Sequence, residues 1–151
     1  MQTHIDALTE LLGAEQLLTG SNIGERYQVD WSKEAPHMPE LVVRPRDTAD
    51  VSTLLRYCNE HKLPVVPQGG LTGLAGGATP QAGEIALSLE RLTGVTELDE
   101  ASMTMTVRAG TPLQVVQQAA EVAGLRLPVD LGARGSCQIG GNVSTNAGGN
   151  Q

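Results

Sequence analysis

Apolar positions recur along the chain in two rhythms, and each change of period marks an element. Ile5, Leu8, Leu11, Leu12 and Leu18 fall mostly at helical spacing. They predict one helix or two short ones over residues 3–18, with Thr3 as N-cap and Gly13 and Gly20 as breaks. Residues 21–40 have no period and read as an irregular crossing under which Tyr27 and Trp31 pack. Leu41-Val42-Val43 is a short buried-strand candidate. Asp47 or Thr48 then caps a helix whose Val51, Leu54, Leu55 and Cys58 stand at i, i+3, i+4 and i+7, with His61 and Lys62 in its last turn. Val65-Val66, fenced by Pro64 and Pro67, is a brief strand. Strand, helix, strand in this order predicts a parallel βαβ unit.

The rhythm changes after Pro80. Residues 84–89 read as a strand and 92–98 as a turn with a second strand. Residues 103–108 alternate, with Met103, Met105 and Val107 on one face. The three are expected to be antiparallel neighbours in another sheet. Gly110 ends the last of them, Thr111 caps, Pro112 takes the first helical position, and Leu113, Val116, Ala120 and Ala123 line a helix closed by Gly124. The expected fold is α+β in two lobes, a small βαβ lobe packed against a second, mixed or antiparallel sheet lobe.

Two stretches fit neither rhythm. Residues 67–77 follow the Val65-Val66 strand and hold five glycines in nine residues, 69–77. Such crowding costs backbone entropy and adds nothing to a core, so it needs an offset: turns with positive φ, or a ligand that approaches the main chain. Successive uncovered N–H groups make an anion-binding concavity, to which the Thr72 hydroxyl adds a donor. Its position after a strand of the βαβ unit is where ligands of open α/β sheets sit. A flexible surface loop is the alternative. A Walker-type phosphate loop is excluded, since no lysine follows Lys62, and Gly-x-Gly-x-x-Gly is absent from residues 69–77. Residues 130–150 form a second cluster with six glycines and the small donors Ser136, Asn142, Ser144, Thr145 and Asn146. Eleven of the eighteen glycines thus lie in two loops, which suggests one extended ligand, such as a dinucleotide, clasped from two sides.

Pro67-Gln-Gly-Gly-Leu-Thr-Gly-Leu-Ala-Gly-Gly77 followed by Pro128-Val-Asp-Leu-Gly-Ala-Arg-Gly-Ser-Cys-Gln-Ile-Gly-Gly-Asn-Val-Ser-Thr-Asn-Ala-Gly-Gly149 resembles the FAD-binding half of the vanillyl-alcohol oxidase/p-cresol methylhydroxylase flavoproteins. Within that superfamily it is similar to the D-2-hydroxyacid dehydrogenase branch, which includes D-lactate, D-2-hydroxyglutarate and glycolate-oxidising enzymes. The resemblance covers roughly residues 36–151 and implies a PCMH-type FAD-binding domain there, incomplete at its C-terminus, after a helical segment over residues 1–35. It implies that Pro67, Gln68, Gly69, Gly70, Leu71, Thr72, Gly73 and Leu74 contact FAD from the first loop. From the second loop it implies Pro128, Asp130, Leu131, Gly132, Ser136, Cys137, Gly140, Gly141, Asn142, Ser144 and Thr145. Members that tether FAD through the first loop carry a histidine where this chain has Leu71, and Cys137 does not match the cysteine of doubly tethered members, so FAD is expected to be non-covalent. The implied reaction is oxidation of a D-2-hydroxy acid to the 2-oxo acid by hydride transfer to FAD, with electrons passing to a separate acceptor. The resemblance implies that the base and the carboxylate clamp, often with a divalent metal, belong to a region beyond these residues. No catalytic residue and no metal ligand is therefore assigned, and the chain is read as the N-terminal, by itself inactive, part of a longer enzyme.

Charge narrows the partners. A net charge of -7 and a pI near 4.8 leave no basic stripe for nucleic acid. The first ten residues lack the basic start of a secretory signal, and no apolar run approaches a membrane span. Two cysteines, Cys58 and Cys137, make no disulfide framework, which favours a reducing cytoplasm. Cys58 on an apolar helix face reads as core, and His4, His37 and His61 lack metal-ligand spacing. A homo-oligomer stays open. So do two other classes: a nucleotide-binding module without redox activity, and an inactive structural or interaction fragment.

Overall fold

The computed structural model describes residues 1–149, and the chain divides into two compact units, Met1–Arg91 and Leu92–Gln151. In the first, helix α1 (Gln2–Leu12) follows Met1, which takes the N-cap position expected of Thr3. It stops at Gly13, whose φ of 92° lies in the left-handed region that suits glycine. The helical spacing of the sequence continues to Leu18, but the chain does not follow it. After a 3₁₀ turn at Ala14–Gln16, strand β1 (Leu17–Thr19) pairs antiparallel with β2 (Leu41–Val43), Leu17 opposite Val43. A free strand edge offers ladder bonds to residues 17–19, and that tertiary gain outweighs a weak local period.

Helix α2 (Thr48–Glu60) starts as its sequence predicts: the Asp47 carboxylate accepts the Asp50 N–H at 2.9 Å. Asp50 in turn accepts the Arg46 main-chain N–H at 3.1 Å. Strands β3 (Val65–Gln68) and β4 (Ile85–Ser88) complete a sheet in the order β1-β2-β4-β3, with β2, β4 and β3 mutually parallel. The βαβ unit is therefore present, but β4 is inserted between its two strands. This corrects the expectation that residues 84–89 join an antiparallel sheet. All four β4 residues are buried, as the middle strand of a two-sided parallel sheet requires.

Alternation along the strands distributes the core to both faces. Leu41, Val43, Ile85 and Leu87 pack with Leu8 and Leu12 of α1 and Leu54 and Cys58 of α2. Val42, Val66 and Ala86 face the other way, onto Ile23 and Tyr27 from the irregular crossing. Burial pushes the Cys58 thiol up, as suits a core thiol. Trp31 departs from its expected packing role and is 65% exposed, its ring 5.7 Å from the Lys33 ammonium. Leu55, expected on the apolar face of α2, is also exposed. His4 and His61, distant in sequence, meet over Tyr57, with His4 Nδ1 3.0 Å from the Tyr57 hydroxyl. Among the described residues no group of three His, Cys, Asp or Glu could hold a metal ion, and no helix is long and apolar enough to cross a membrane.

The second unit holds the antiparallel hairpin β5 (Val95–Asp99) and β6 (Thr104–Val107), with a register shift between Val95 and Glu97, then helix α3 (Leu113–Val122) and short helix α4 (Ile139–Ser144). Met103 sits in the hairpin turn at φ 54° rather than on the strand face. Leu113, Val116 and Ala120 form the buried stripe of α3. Thr111 is no helix cap: its buried hydroxyl donates to Arg108 O at 2.6 Å and accepts the Gly94 N–H at 2.9 Å, and Pro112 holds the cap position. Arg108 O also accepts the Thr111 main-chain N–H at 3.0 Å, so Thr111 ties the ends of the two strands together through both its main chain and its side chain.

Two outcomes test this account. Asp47→Ala should lower the stability of the first unit by about 1 kcal/mol, read as a reduced thermal midpoint. Burial, then the hydrogen bond to Glu90, raises the Tyr27 hydroxyl above the ordinary tyrosine range. A raised pKa contributes stability that is present below the unfolded value of about 10 and is lost as pH climbs through the folded one. In alkaline titration followed by tyrosinate absorbance, one of the two tyrosines should ionise late, and Tyr27→Phe should abolish that late phase.

Candidate functional site

The glycine turn leaves the sheet at the carboxyl end of β3. Because β3 is an edge strand, Pro67 can stand in it, opposite Leu87, without removing an interior ladder bond. The next residue, Gln68, is fully buried, and its Nε2 donates to Tyr27 O at 2.8 Å and to Ala78 O at 2.9 Å. Beyond it the chain follows residues 69–77, with Leu71 at φ 57° and Gly76 at φ 72°. Among the described residues, no N–H of residues 69–77 donates to a carbonyl or side chain of the protein. These residues are half-buried to exposed, so the run of amides is a donor array open to solvent and to any acceptor that approaches it. Thr79 N–H closes the turn on Gly76 O at 3.1 Å.

Asp30, which the sequence reading left without a role, lies under this turn. It is 3% exposed, its Oδ1 accepts the Ser32 N–H at 3.0 Å, and its N–H donates to Thr79 Oγ1 at 3.3 Å. Its Oδ2 is buried without a partner, 3.4 Å from where a Cβ on Gly73 would stand. Asp followed two residues later by Ser is an Asx-turn pattern, the one local signal that could have drawn attention to it.

The second glycine stretch is built differently. N–H groups of Arg134, Ser136, Cys137, Ile139, Gly140 and Asn142 all donate to main-chain carbonyls. Its own carbonyls are used as well: Cys137 O and Arg134 O accept the Leu113 and Gln114 N–H groups, satisfying the first turn of α3. Four of these six bonds close turns within residues 131–142, and Ile139 and Gly140 donate to Thr111 O and Ala109 O, so these donors are spent within the second unit. Gly140 and Gly141 lie in α4, and a Cβ on Gly140 would come within 2.8 Å of Ala109 Cβ and 3.0 Å of Ala109 O. The Ser144 and Thr145 hydroxyls donate back to Gly140 O and Gly141 O at 2.8 and 2.9 Å. Ser136 is exposed and Cys137 buried. Asp130 faces Arg134 at 3.9 Å. Gln138 Oε1 and Asn142 Oδ1 are buried acceptors without a partner. Pro67 to Leu74 are brought together in one turn of the first unit, and Pro128 to Thr145 in one loop and helix of the second.

This combination of a flanked mixed sheet with a hairpin-and-helix unit is the PCMH-type FAD-binding fold. It superimposes on p-cresol methylhydroxylase with substrate bound at a TM-score of 0.73 and 22% identity, over 96% of this chain and 28% of that one. On alkyldihydroxyacetonephosphate synthase the TM-score is 0.88 at 18% identity, over 99% and 32%. The FAD binding domain family matches residues 39–151, and the chain belongs to that family. Among curated relatives, the D-2-hydroxyglutarate dehydrogenase of Xanthomonas citri pv. viticola is 43% identical over 143 residues, 95% of this chain and 30% of its own length. The mitochondrial D-2-hydroxyglutarate dehydrogenase of Danio rerio is 45% identical over 132 residues, 87% and 25%. The chain spans under a third of the length of these relatives.

The residues present fit FAD. A diphosphate supplies acceptors for the unpaired amides of the first turn, and the Thr72 hydroxyl adds a donor there. The first turn has no lysine or arginine, so the donors it offers are main-chain N–H groups and the Thr72 hydroxyl.

Gly140→Ala drives a methyl group into the Ala109 backbone. It should destabilise the second unit by about 1–3 kcal/mol, read as a lower denaturation midpoint, whereas Gly141→Ala, with nothing within 4 Å of its Cβ, should cost much less.

Proposed function

We propose that the chain is the N-terminal, FAD-holding part of a flavin-dependent oxidoreductase that oxidises a D-2-hydroxy acid to the 2-oxo acid, with D-2-hydroxyglutarate as substrate. The observation that carries the reading is the run of unpaired main-chain N–H groups over residues 69–77 at the carboxyl end of β3, in a chain that belongs to the FAD binding domain family. The substrate rests on relatives bearing that name at 43% and 45% identity. D-lactate is the second reading, favoured by a Schizosaccharomyces pombe relative named putative D-lactate dehydrogenase at 41% identity over 125 residues.

In this reading the amides of Gly69, Gly70, Leu71, Thr72 and Gly73 bind the diphosphate, and Pro67 and Leu74 flank it. Ser136, Gly140, Gly141, Asn142, Ser144 and Thr145 make the second set of contacts, with Pro128, Asp130, Leu131, Gly132 and Cys137 shaping their approach. The chemistry supplied by bound FAD is acceptance of a hydride from the carbinol carbon. Neutral, rigid donors suit that role, because they hold a charged linker without a mobile cation. Leu71 offers no nucleophile where tethered flavoproteins carry histidine, so FAD is dissociable. Electrons leave to a separate acceptor, and the reaction takes place in a reducing compartment, in keeping with two cysteines that are free and buried.

The full-length protein should purify yellow, with flavin absorption that passes entirely into the supernatant on acid precipitation. D-2-hydroxyglutarate should bleach that absorption faster than D-lactate or glycolate. A protein that stays colourless after incubation with FAD defeats the reading, and pigment retained in the pellet defeats the non-covalent part of it.

A further inference from the structure

The donor array over residues 69–77 is held open by a side chain beneath it. Gln68 is fully buried, and both its Nε2 contacts, Tyr27 O and Ala78 O, are main-chain carbonyls. Since carbonyls only accept, the amide nitrogen must face them, and both of its hydrogens are committed. Gln68 and Ala78 bracket the turn, so one carboxamide closes its neck and joins it to the crossing segment at Tyr27. Little else does so: the main-chain bonds made by N–H groups of residues 69–84 are Thr79 to Gly76 O and Glu84 to Gln81 O, among the described residues. A second strut comes from the same crossing, where the Asp30 N–H donates to Thr79 Oγ1 at 3.3 Å. The crossing is itself anchored, because buried Tyr27 donates its hydroxyl to Glu90 at 2.8 Å.

We propose that Gln68 is a positioning residue that preforms the turn as a diphosphate receptor, acting through the neck at Ala78 rather than by touching the cofactor. A nine-residue turn with five glycines has a large conformational entropy to lose, about 1–2 kcal/mol per residue fixed. When the neck is clamped on folding, that loss is not charged to ligand binding, and affinity is correspondingly higher. The inference rests on the flavin reading for the identity of the ligand but not for the clamp, which exists in the free protein.

The test uses the full-length protein, wild type and the variants Gln68→Leu, Gln68→Glu and Thr79→Val. Two readouts are taken: FAD affinity by flavin fluorescence, and amide hydrogen exchange over residues 69–79 without FAD. Gln68→Leu keeps the volume and removes both donors. It should weaken FAD binding by about tenfold to a hundredfold and speed exchange in the turn while α2 and β4 keep wild-type protection. Gln68→Glu can donate only when protonated, so its affinity relative to wild type should recover in part as pH is lowered. Should Gln68→Leu fail to fold, Thr79→Val decides, with a few-fold loss of affinity and faster exchange at an unchanged thermal midpoint. Wild-type affinity and wild-type exchange in a folded Gln68→Leu protein, or in Thr79→Val if that variant must decide, overturn the proposal. A wild-type protein that takes up no FAD removes the flavin reading alone; the clamp is then judged by exchange, and unchanged exchange in the variants overturns it.

Discussion

Parallel pairing of β4 between β2 and β3 is the constraint on which the first unit depends. Because Ile85 to Ser88 are flanked on both edges and covered on both faces, four consecutive small or apolar side chains are required there. Once β4 is in place, β3 becomes an edge, Pro67 becomes tolerable, and Gln68 lies opposite Ser88 at the sheet's carboxyl margin. The chain must then travel from the carboxyl end of one strand to the amino end of its parallel neighbour with no crossover helix to occupy its amides. A long, poorly bonded turn is the consequence of that topology, and glycine lets it follow the path. An uncovered donor array is thus a product of how the strands connect as much as of local composition.

Much of this was legible in the residues. The apolar face of α2 with Asp47 before it, the strands at 41–43 and 65–66, and the alternation over 103–108 state their periods clearly. The glycine turn also stood apart from the core-building elements, because no core-building purpose explains five glycines in nine residues. What the sequence could not state was partnership. Residues 84–89 read as a strand, but whether they joined a parallel or an antiparallel neighbour is decided by long-range pairing that leaves no local mark. Leu17 and Leu18 kept a helical period that the edge of β2 overrode, and Thr111 carried a cap's identity while its hydroxyl served the ends of two neighbouring segments. Asp30 and Gln68 were opaque for a related reason: a polar residue in an aperiodic stretch, or at the end of a two-residue strand signal, gives no indication that it is buried.

The two glycine-rich stretches look equivalent by composition and are opposite in chemistry. In the first, the amides are free and a buried glutamine beneath keeps their spacing. In the second, the N–H groups of Arg134, Ser136, Cys137, Ile139, Gly140 and Asn142 are spent, and the loop uses its own carbonyls to finish the first turn of α3. Glycine serves distance there, since Gly140 lies so close to Ala109 that a methyl group would collide with backbone. Buried side-chain acceptors without partners occur beside both stretches, Asp30 Oδ2 and Gln68 Oε1 at the first and Gln138 Oε1 and Asn142 Oδ1 at the second. Glycine content alone therefore does not say whether a stretch frees amides for a ligand or lets two backbones approach; only the bonding of each N–H group decides.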